Sequence, residues 1–387
     1  MAFVIVTIFL FIPYAVLLFY YRKSWLQIKD YKPSQRFSTS DLPFLSIIIP
    51  ARNEQENIGD CIQSIINQSY PADKFEVIVV NDHSTDNTVS VINSFQKEHV
   101  RVINLADFMQ DQIINSYKKK SIEIALRFCK GDLIVTTDAD CVAPPQWLET
   151  IASFYTEKKP AFIAMPVSFV HYSDNSSVAK KFFAIFQLLD FMTLQGITGA
   201  SVSKNFHSMC NGANLAYEKK VFYEVNGFEG IDEIASGDDM LLMHKIQKKY
   251  PERTLFLKSQ NVIVQTKSEP TIKKFLNQRI RWASKSGHYS DKKIMMVLLL
   301  VYLLNAWIFW LALSSIFFTQ VFFLFLATLV SKTIVELIFL FPVAQFFKSQ
   351  KILWWFIPAQ PFHILYTLIA GWLGKFGSYN WKGRKVK

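Results

Sequence analysis

Cysteine is scarce in this chain, acidic charge is in deficit, and several familiar signatures are missing. The 387 residues hold four cysteines, Cys61, Cys129, Cys141 and Cys210. They show neither zinc-ligand spacing nor a secreted disulfide framework, so reduced thiols of a cytosolic domain are expected. Thirty-one acids stand against 42 Lys and Arg, a net charge of +11. That excess suits anionic lipid headgroups and phosphorylated substrates. The basic residues are scattered or juxtamembrane and no DNA- or RNA-binding module is present, which excludes nucleic acid as the expected partner. The first apolar run has no positive residue before it and no small-residue cleavage site after it, which argues against a cleaved signal peptide. The membrane segments show no internal repeat, which argues against a transporter.

What the chain has in excess is apolar surface: 51% of residues are hydrophobic and 15% aromatic. The excess is concentrated at the two ends. Residues 2–20 and most of 294–374 are apolar and nearly free of charge, and each of these regions can span a bilayer. Between them lie about 270 residues of ordinary soluble composition, enough for one sizeable α/β core. The expected organisation is an N-terminal anchor (1–21), a cytosolic domain (44–292), C-terminal membrane helices (293–376) and a basic tail (377–387). Arg22, Lys23, Lys29 and Lys32 follow the first span and place the soluble domain in the cytoplasm of a multi-pass inner-membrane protein.

The most informative stretch is Asp132-Leu-Ile-Val-Thr-Thr-Asp-Ala-Asp-Cys141. Leu133 to Thr136 reads as a short buried strand, and it delivers Asp138 and Asp140 to its end. Two carboxylates so close at the end of a buried strand are costly unless a positive charge lies between them. A divalent cation, Mg2+ or Mn2+, bridging a substrate's phosphates fits, although an ordinary acidic turn has the same composition. Upstream, Ser46–Ile49 is a strand ended by Pro50, with a helix beginning at Asn53 or Glu54. Phe75–Val80 is a second strand, followed by a polar loop and the helical Val89–Gln96. Repeated strand–loop–helix units predict an α/β fold with a mostly parallel, Rossmann-like sheet. Ligands of such sheets bind beyond the carboxyl ends of the strands, where Pro50 to Glu54, Asp82 and Asp138 to Asp140 converge.

These segments resemble the family 2 glycosyltransferases over about residues 44–286, on Ser46-Ile-Ile-Ile-Pro-Ala-Arg-Asn-Glu54, Val77-Ile-Val-Val-Asn-Asp-His-Ser-Thr-Asp-Asn-Thr88 and Thr136-Thr-Asp-Ala-Asp140. The resemblance implies a nucleotide-sugar-binding GT-A fold. It gives Pro50, Arg52, Asn53 and Glu54 to the donor-binding loop and sets Asp82 on a uracil-type base. Asp138 would face the ribose or diphosphate, and Asp140 would ligate the metal with it. Lys118, of the run Lys118-Lys-Lys120 ahead of a helix at Ser121–Phe128, best fits the family's diphosphate lysine; Tyr117 replaces the usual preceding glycine.

Later motifs extend the match. A loop into a helix at Trp147–Tyr155, an apolar strand over Ala161–Val170 and an amphipathic stretch at 178–195, read as core, lead to Asn211-Gly212. That pair marks a tight turn or a close backbone approach to a ligand. The resemblance favours the second and sets Asn211, Gly212 and Asp238 at the sugar and acceptor pocket. Ser236 is a good helix N-cap, and Asp238 and Asp239 suit the positive end of that helix. In the family the second acid of this pair is the general base, which implies that role for Asp239.

Gln278-Arg-Ile-Arg-Trp282 resembles the Gln-x-x-Arg-Trp signature of cellulose, hyaluronan and poly-N-acetylglucosamine synthases and of ceramide glucosyltransferase-like enzymes. Gln278, Arg281 and Trp282 fall on one helical face, which can grip a diphosphate and form an acceptor platform; an interfacial amphipathic helix has the same pattern. In the membrane region, Lys332 and Glu336 either pair or break the second C-terminal span. Simple counting puts the basic tail outside the cell, so one segment is expected to be re-entrant or interfacial. The ending Asn380-Trp-Lys-Gly-Arg-Lys385 resembles that of the ceramide glucosyltransferase-like enzymes and supports a cytoplasmic tail.

The expected function is an inverting, metal-dependent membrane glycosyltransferase that uses a nucleotide sugar, with a UDP-sugar implied. Single transfer to a lipid or lipid-linked glycan is favoured by the few spans. Processive polysaccharide synthesis shares the Gln-x-x-Arg-Trp signature, and an inactive nucleotide-sugar-binding scaffold is the alternative from another class.

Overall fold

The computed structural model describes residues 1–33, 42–109, 114–170, 177–234, 236–285, 289, 291–377, 379–381 and 384–386. Most of the linker between the first span and the soluble domain, together with Lys382 and Lys387 of the tail, lies outside them.

The chain opens with α1 (Ala2–Gln27) and then alternates: β1 (Leu45–Ala51), α2 (Ile58–Ile66), β2 (Phe75–Asn81), α3 (Thr88–Asn93), β3 (Val100–Asn104), α4 (Tyr117–Phe128), β4 (Leu133–Thr136) and α5 (Trp147–Lys158). Next come β5 (Phe162–Ala164), β6 (Val167–Phe169), α6 (Val178–Val202), β7 (Leu215–Glu218), α7 (Lys219–Glu224), α8 (Met240–Lys249), β8 (Thr254–Phe256), β9 (Val264–Thr266) and α9 (Ile272–Ser284). Three long helices close the chain, α10 (Lys292–Ser314), α11 (Thr319–Phe346) and α12 (Phe356–Phe376), ahead of a short antiparallel ladder, β10 (Tyr379–Trp381) with β11 (Arg384–Val386).

The main sheet runs in the order β3-β2-β1-β4-β7-β5-β8. Strands β1 to β4 are mutually parallel, and β7 is inserted antiparallel between β4 and β5. Leu45 to Ile49, Phe75 to Val80 and all of β4 are buried as continuous runs, as expected for a parallel sheet covered on both faces. The strand order reverses between β1 and β4, so their carboxyl ends flank a crevice. This mostly parallel α/β architecture with apolar helices at both ends is the one the sequence implies.

Several boundaries differ. Strand β1 continues through Pro50, because β4 pairs only as far as Thr136 opposite Ile48 and leaves the side facing Pro50 without a partner strand. Helix α2 starts only at Ile58, since Asn53 sits at φ 51° and interrupts any helix there. The single strand expected over 161–170 is two, β5 in the main sheet and β6 paired with β9; Pro166 between them has no N–H, and its carbonyl accepts from Asn214 at 2.8 Å. Helix α4 begins at Tyr117, so Lys118 to Lys120 lie inside its first turn.

Among the described residues, five helices are long and apolar enough to cross a membrane: α1, α6, α10, α11 and the segment Gln350–Phe376. Along α1, Thr7, Tyr14, Leu18, Tyr21 and Trp25 form one buried stripe, while Ile5, Phe9, Ile12 and Val16 on other faces stay uncovered, as suits contact with hydrocarbon. Helix α6 packs on α1, α11 and α12 as well as on β6 and β8, and so joins the sheet domain to the membrane bundle. Its Gly196 and Gly199 permit this approach: a Cβ there would lie 2.6 Å from Val343 and 2.7 Å from Trp25. Lys332 and Glu336 pair at 2.7 Å inside an unbroken α11. Gln360 of α12 bonds both, and Tyr14 donates to Glu336.

Candidate active site

The carboxyl ends of β1, β2 and β4 open on a cavity of about 620 Å³. Pro50, Arg52, Glu54, Asp82, Lys118, Asp138, Asp140, Asn211, Gly212, Asp238, Asp239, Gln278, Arg281 and Trp282 all line it. Asn53 is the exception among the residues singled out from sequence. Its side-chain oxygen accepts from the Thr85 amide at 2.8 Å and its own amide donates to Ser84, so it ties the β1 loop to the β2 loop.

On the β1–β2 side, Arg52 donates to the carbonyl of Asp82 at 2.9 Å and lies 3.8 Å from its carboxylate. His83 Nδ1 sits 2.9 Å from Asp82 Oδ1. Glu54 accepts from Asn57 at 2.8 Å.

At the end of β4, ligand atoms of Asp138, Asp140 and Cys141 lie within 4.8 Å of one another. Burial, then Asp140 and Asp138, push the Cys141 thiol well above its usual range, so it stays neutral and is a poor ligand for a hard cation. The usable donor set is therefore the two carboxylates, which fits Mg2+ or Mn2+ with coordination left for phosphate oxygens. Asp140 also accepts from Thr266 at 3.2 Å, an orienting contact from β9.

Lys118 bridges Asp138 at 2.7 Å and Asp238 at 3.1 Å. Burial alone would lower its pKa, but Asp138 and Asp238 outweigh burial and raise it, so the ammonium stays charged. Gly212 leaves room for this bridge, since a Cβ there would stand 3.1 Å from both Lys118 Nζ and Asp238 Oδ2. Lys119 does something else. It is buried and donates to the carbonyls of Ile231, Ile234 and Ser236, which pins the loop before α8.

The N-cap of α8 is Asp239, not Ser236: its carboxylate accepts from the Met240 amide at 2.7 Å. The Gly212 amide donates to its other oxygen at 3.0 Å, and Lys285 lies 3.4 Å away. Burial works against ionisation of Asp239, yet Lys285, Lys118 and the two amides together lower its pKa. The turn that presents it needs Gly237, whose φ is +83°. Gly237→Ala is expected to cost about 1–2 kcal/mol, because the left-handed region strains any side chain. Thermal unfolding of the purified variant checks this; an unchanged midpoint would contradict it.

A second cavity, of about 550 Å³ and mostly apolar, lies among α1, α6, α10, α11, α12 and the end of α9. Asp239, Trp282, Lys285, Asn211 and Phe191 line both cavities, so the polar and apolar spaces meet at Asp239. Sequence reasoning did not single out Lys285, Asp190, Arg279 or Thr266. Lys285 read as part of a basic interfacial helix with Lys273 and Lys274, Arg279 was an unassigned position of the Gln-x-x-Arg-Trp segment, and Asp190 and Thr266 belong to no motif. A lone acid at position 190 inside an apolar helix was the available signal.

Open α/β sheets bind ligands at a topological switch point, and a cavity there with paired carboxylates and a lysine suits a phosphorylated ligand. Residues 46–225 match the family model described as Glycosyl transferase family 2. A glycosyltransferase of Haloferax volcanii is 37% identical over 29% of this chain and 35% of its own. A Methanococcus voltae dolichyl N-acetyl-alpha-D-glucosaminyl phosphate diacetamido-dideoxy-glucuronosyltransferase is 23% identical over 63% of this chain and 73% of its own. The chain spans only 35%, 25% and 36% of the lengths of the first three curated relatives. A mannosyltransferase from Pyrobaculum calidifontis, solved with GDP-Man and Mn2+, has the same fold: TM-score 0.57 and 19% identity over 94% of this chain and 98% of its own.

Proposed function

We propose that the chain is an inverting, membrane-bound glycosyltransferase that moves a sugar from a nucleotide-sugar donor to a hydroxyl of a lipid or lipid-linked glycan. One observation carries this reading: the polar cavity and the apolar cavity share Asp239 and Trp282. A soluble donor and an acyl or polyprenyl chain can thus reach the same carboxylate from opposite sides. The Mn2+ of the Pyrobaculum structure and the dolichyl acceptor in the name of the Methanococcus relative agree with it.

The donor's base sits against Pro50, Arg52 and Asp82, and Glu54 borders that loop. Asp138 and Asp140 would hold a divalent cation, which when bound supplies positive charge to the diphosphate. Lys118 and Arg281 add charge to the same leaving group, and stabilising it in a site shielded from water is the largest expected contribution. Gln278, Asn211, Gly212 and Asp238 shape the sugar pocket. Trp282 offers a stacking face between sugar and acceptor. Asp239 takes the acceptor's proton as its oxygen attacks the anomeric carbon and the bond to the diphosphate breaks, which inverts that centre.

The basic residues after α1 favour a cytoplasmic catalytic domain by the positive-inside tendency. Helix α12 runs beside α9 from Tyr366–Phe275 to Gly374–Ala283, which supports an interfacial course that returns the tail to the cytoplasm.

Membranes containing the protein, incubated with labelled UDP- and GDP-sugars and Mn2+, should yield one label on a lipid-extractable product. A ladder or a large polymer would replace this reading with that of a processive synthase, whose channel the few spans would have to form by oligomerisation. Donor binding with no product of any kind would leave an inactive scaffold.

A further inference from the structure

We infer that Lys285 is a positioning residue for transfer: its ammonium holds the Asp239 carboxylate in the charged form that accepts the acceptor's proton. The inference rests on the reading of Asp239 as the base. Lys285 is the C-cap of α9, 7% exposed, with Nζ 3.4 Å from Asp239 Oδ1. It stands one turn beyond Trp282, so the helix that carries the Gln-x-x-Arg-Trp segment also carries this cation.

Among the described residues, the other groups facing Asp239 act beside Lys285 rather than in its place. The Met240 and Gly212 amides fix its orientation but bring no charge. Lys118 is held between Asp138 and Asp238, on the diphosphate side. Lys119 spends its donors on three carbonyls. Asp238 is a neighbouring carboxylate and opposes ionisation. The Cys210 thiol and the Tyr289 phenol are driven upward by burial and by Asp239 itself, and stay neutral. Lys285 has Asp239 as its ion-pair partner, at the junction of the two cavities.

Without that cation, burial is opposed only by Lys118 and the two amides, so the carboxyl's pKa rises and a larger share of it is held as the acid. A protonated Asp239 cannot accept the hydroxyl proton. In the intact site that proton passes to an Asp239 oxygen as the new C–O bond forms and the bond to the diphosphate breaks.

The test is the pH dependence of kcat for the full chain in lipid nanodiscs at saturating donor. Wild type should show its acid limb only at low pH, because the paired cation lowers the pKa of the carboxyl. Lys285→Met should move the acid limb to higher pH, with kcat on that limb reduced about tenfold for each pH unit of the shift. Lys285→Arg should move the limb back toward its wild-type position. A uniform loss at every pH in Lys285→Met, or an unchanged profile, would overturn the inference. Failure of the base reading is separable, because Asp239→Asn would then retain transfer whatever Lys285 does.

Discussion

Asp239→Asn is expected to lower kcat by about 10²- to 10⁴-fold, the usual contribution of a positioned base. Donor affinity should stay near wild type, because the groups assigned to the nucleotide base and diphosphate, at the ends of β1, β2 and β4 and at Lys118 and Arg281, are left in place. The substitution is nearly isosteric, but its effect is more than lost basicity. Asp239 now accepts from two backbone amides and faces an ammonium. An amide side chain can offer its oxygen to only one side, so its NH2 must face another donor. Some loss of stability is therefore expected, and thermal unfolding measured beside kcat separates it from chemistry. If a well-folded variant with normal nucleotide binding transferred at the wild-type rate, the proton would have to go elsewhere.

How far the sequence reaches can be seen residue by residue. Parallel strands that are buried on both faces are written as unbroken apolar runs, so β1, β2 and β4 were legible to within a residue or two, as was their convergence on a ligand edge. The motif residues were legible because each carries charge or an amide at the end of such a run. Contacts between distant segments were not. Lys118 reaches Asp238 and Lys285 reaches Asp239 across 120 and 46 residues of chain. Nothing in local periodicity encodes such pairings. Ser236 was mistaken for the cap because composition favours serine there, whereas Gly237 in the left-handed region hands the cap to Asp239. The split of 161–170 was hidden in the same way: only Pro166 marks it, and it needs the two sheets to explain it.

Arg279→Met is expected to destabilise the protein by about 3–5 kcal/mol, as when one member of a buried pair is removed. Arg279 and Asp190 are 4% and 5% exposed and meet at 2.5 Å, and Tyr366 of α12 also donates to Asp190. The guanidinium further donates to Gln278 at 2.7 Å and lies 4.2 Å from the Trp282 ring and 4.6 Å from that of Phe275. One residue therefore locks α9 to α6 and α12 and fixes the face that points Gln278, Arg281 and Trp282 into the cavity. Methionine would leave the Asp190 carboxyl buried with only the Tyr366 hydroxyl for company. Replacing both partners, as Arg279→Met with Asp190→Leu, removes that penalty, and much of the lost stability should return. Activity should not return with it, because nothing would then set the rotation of α9 about the donor. Thermal unfolding and kcat of the two single variants and the double variant decide the matter. A double variant that recovered both would show the pair to be mere packing, whereas one that recovered neither would mean that α9 folds only around its buried charge.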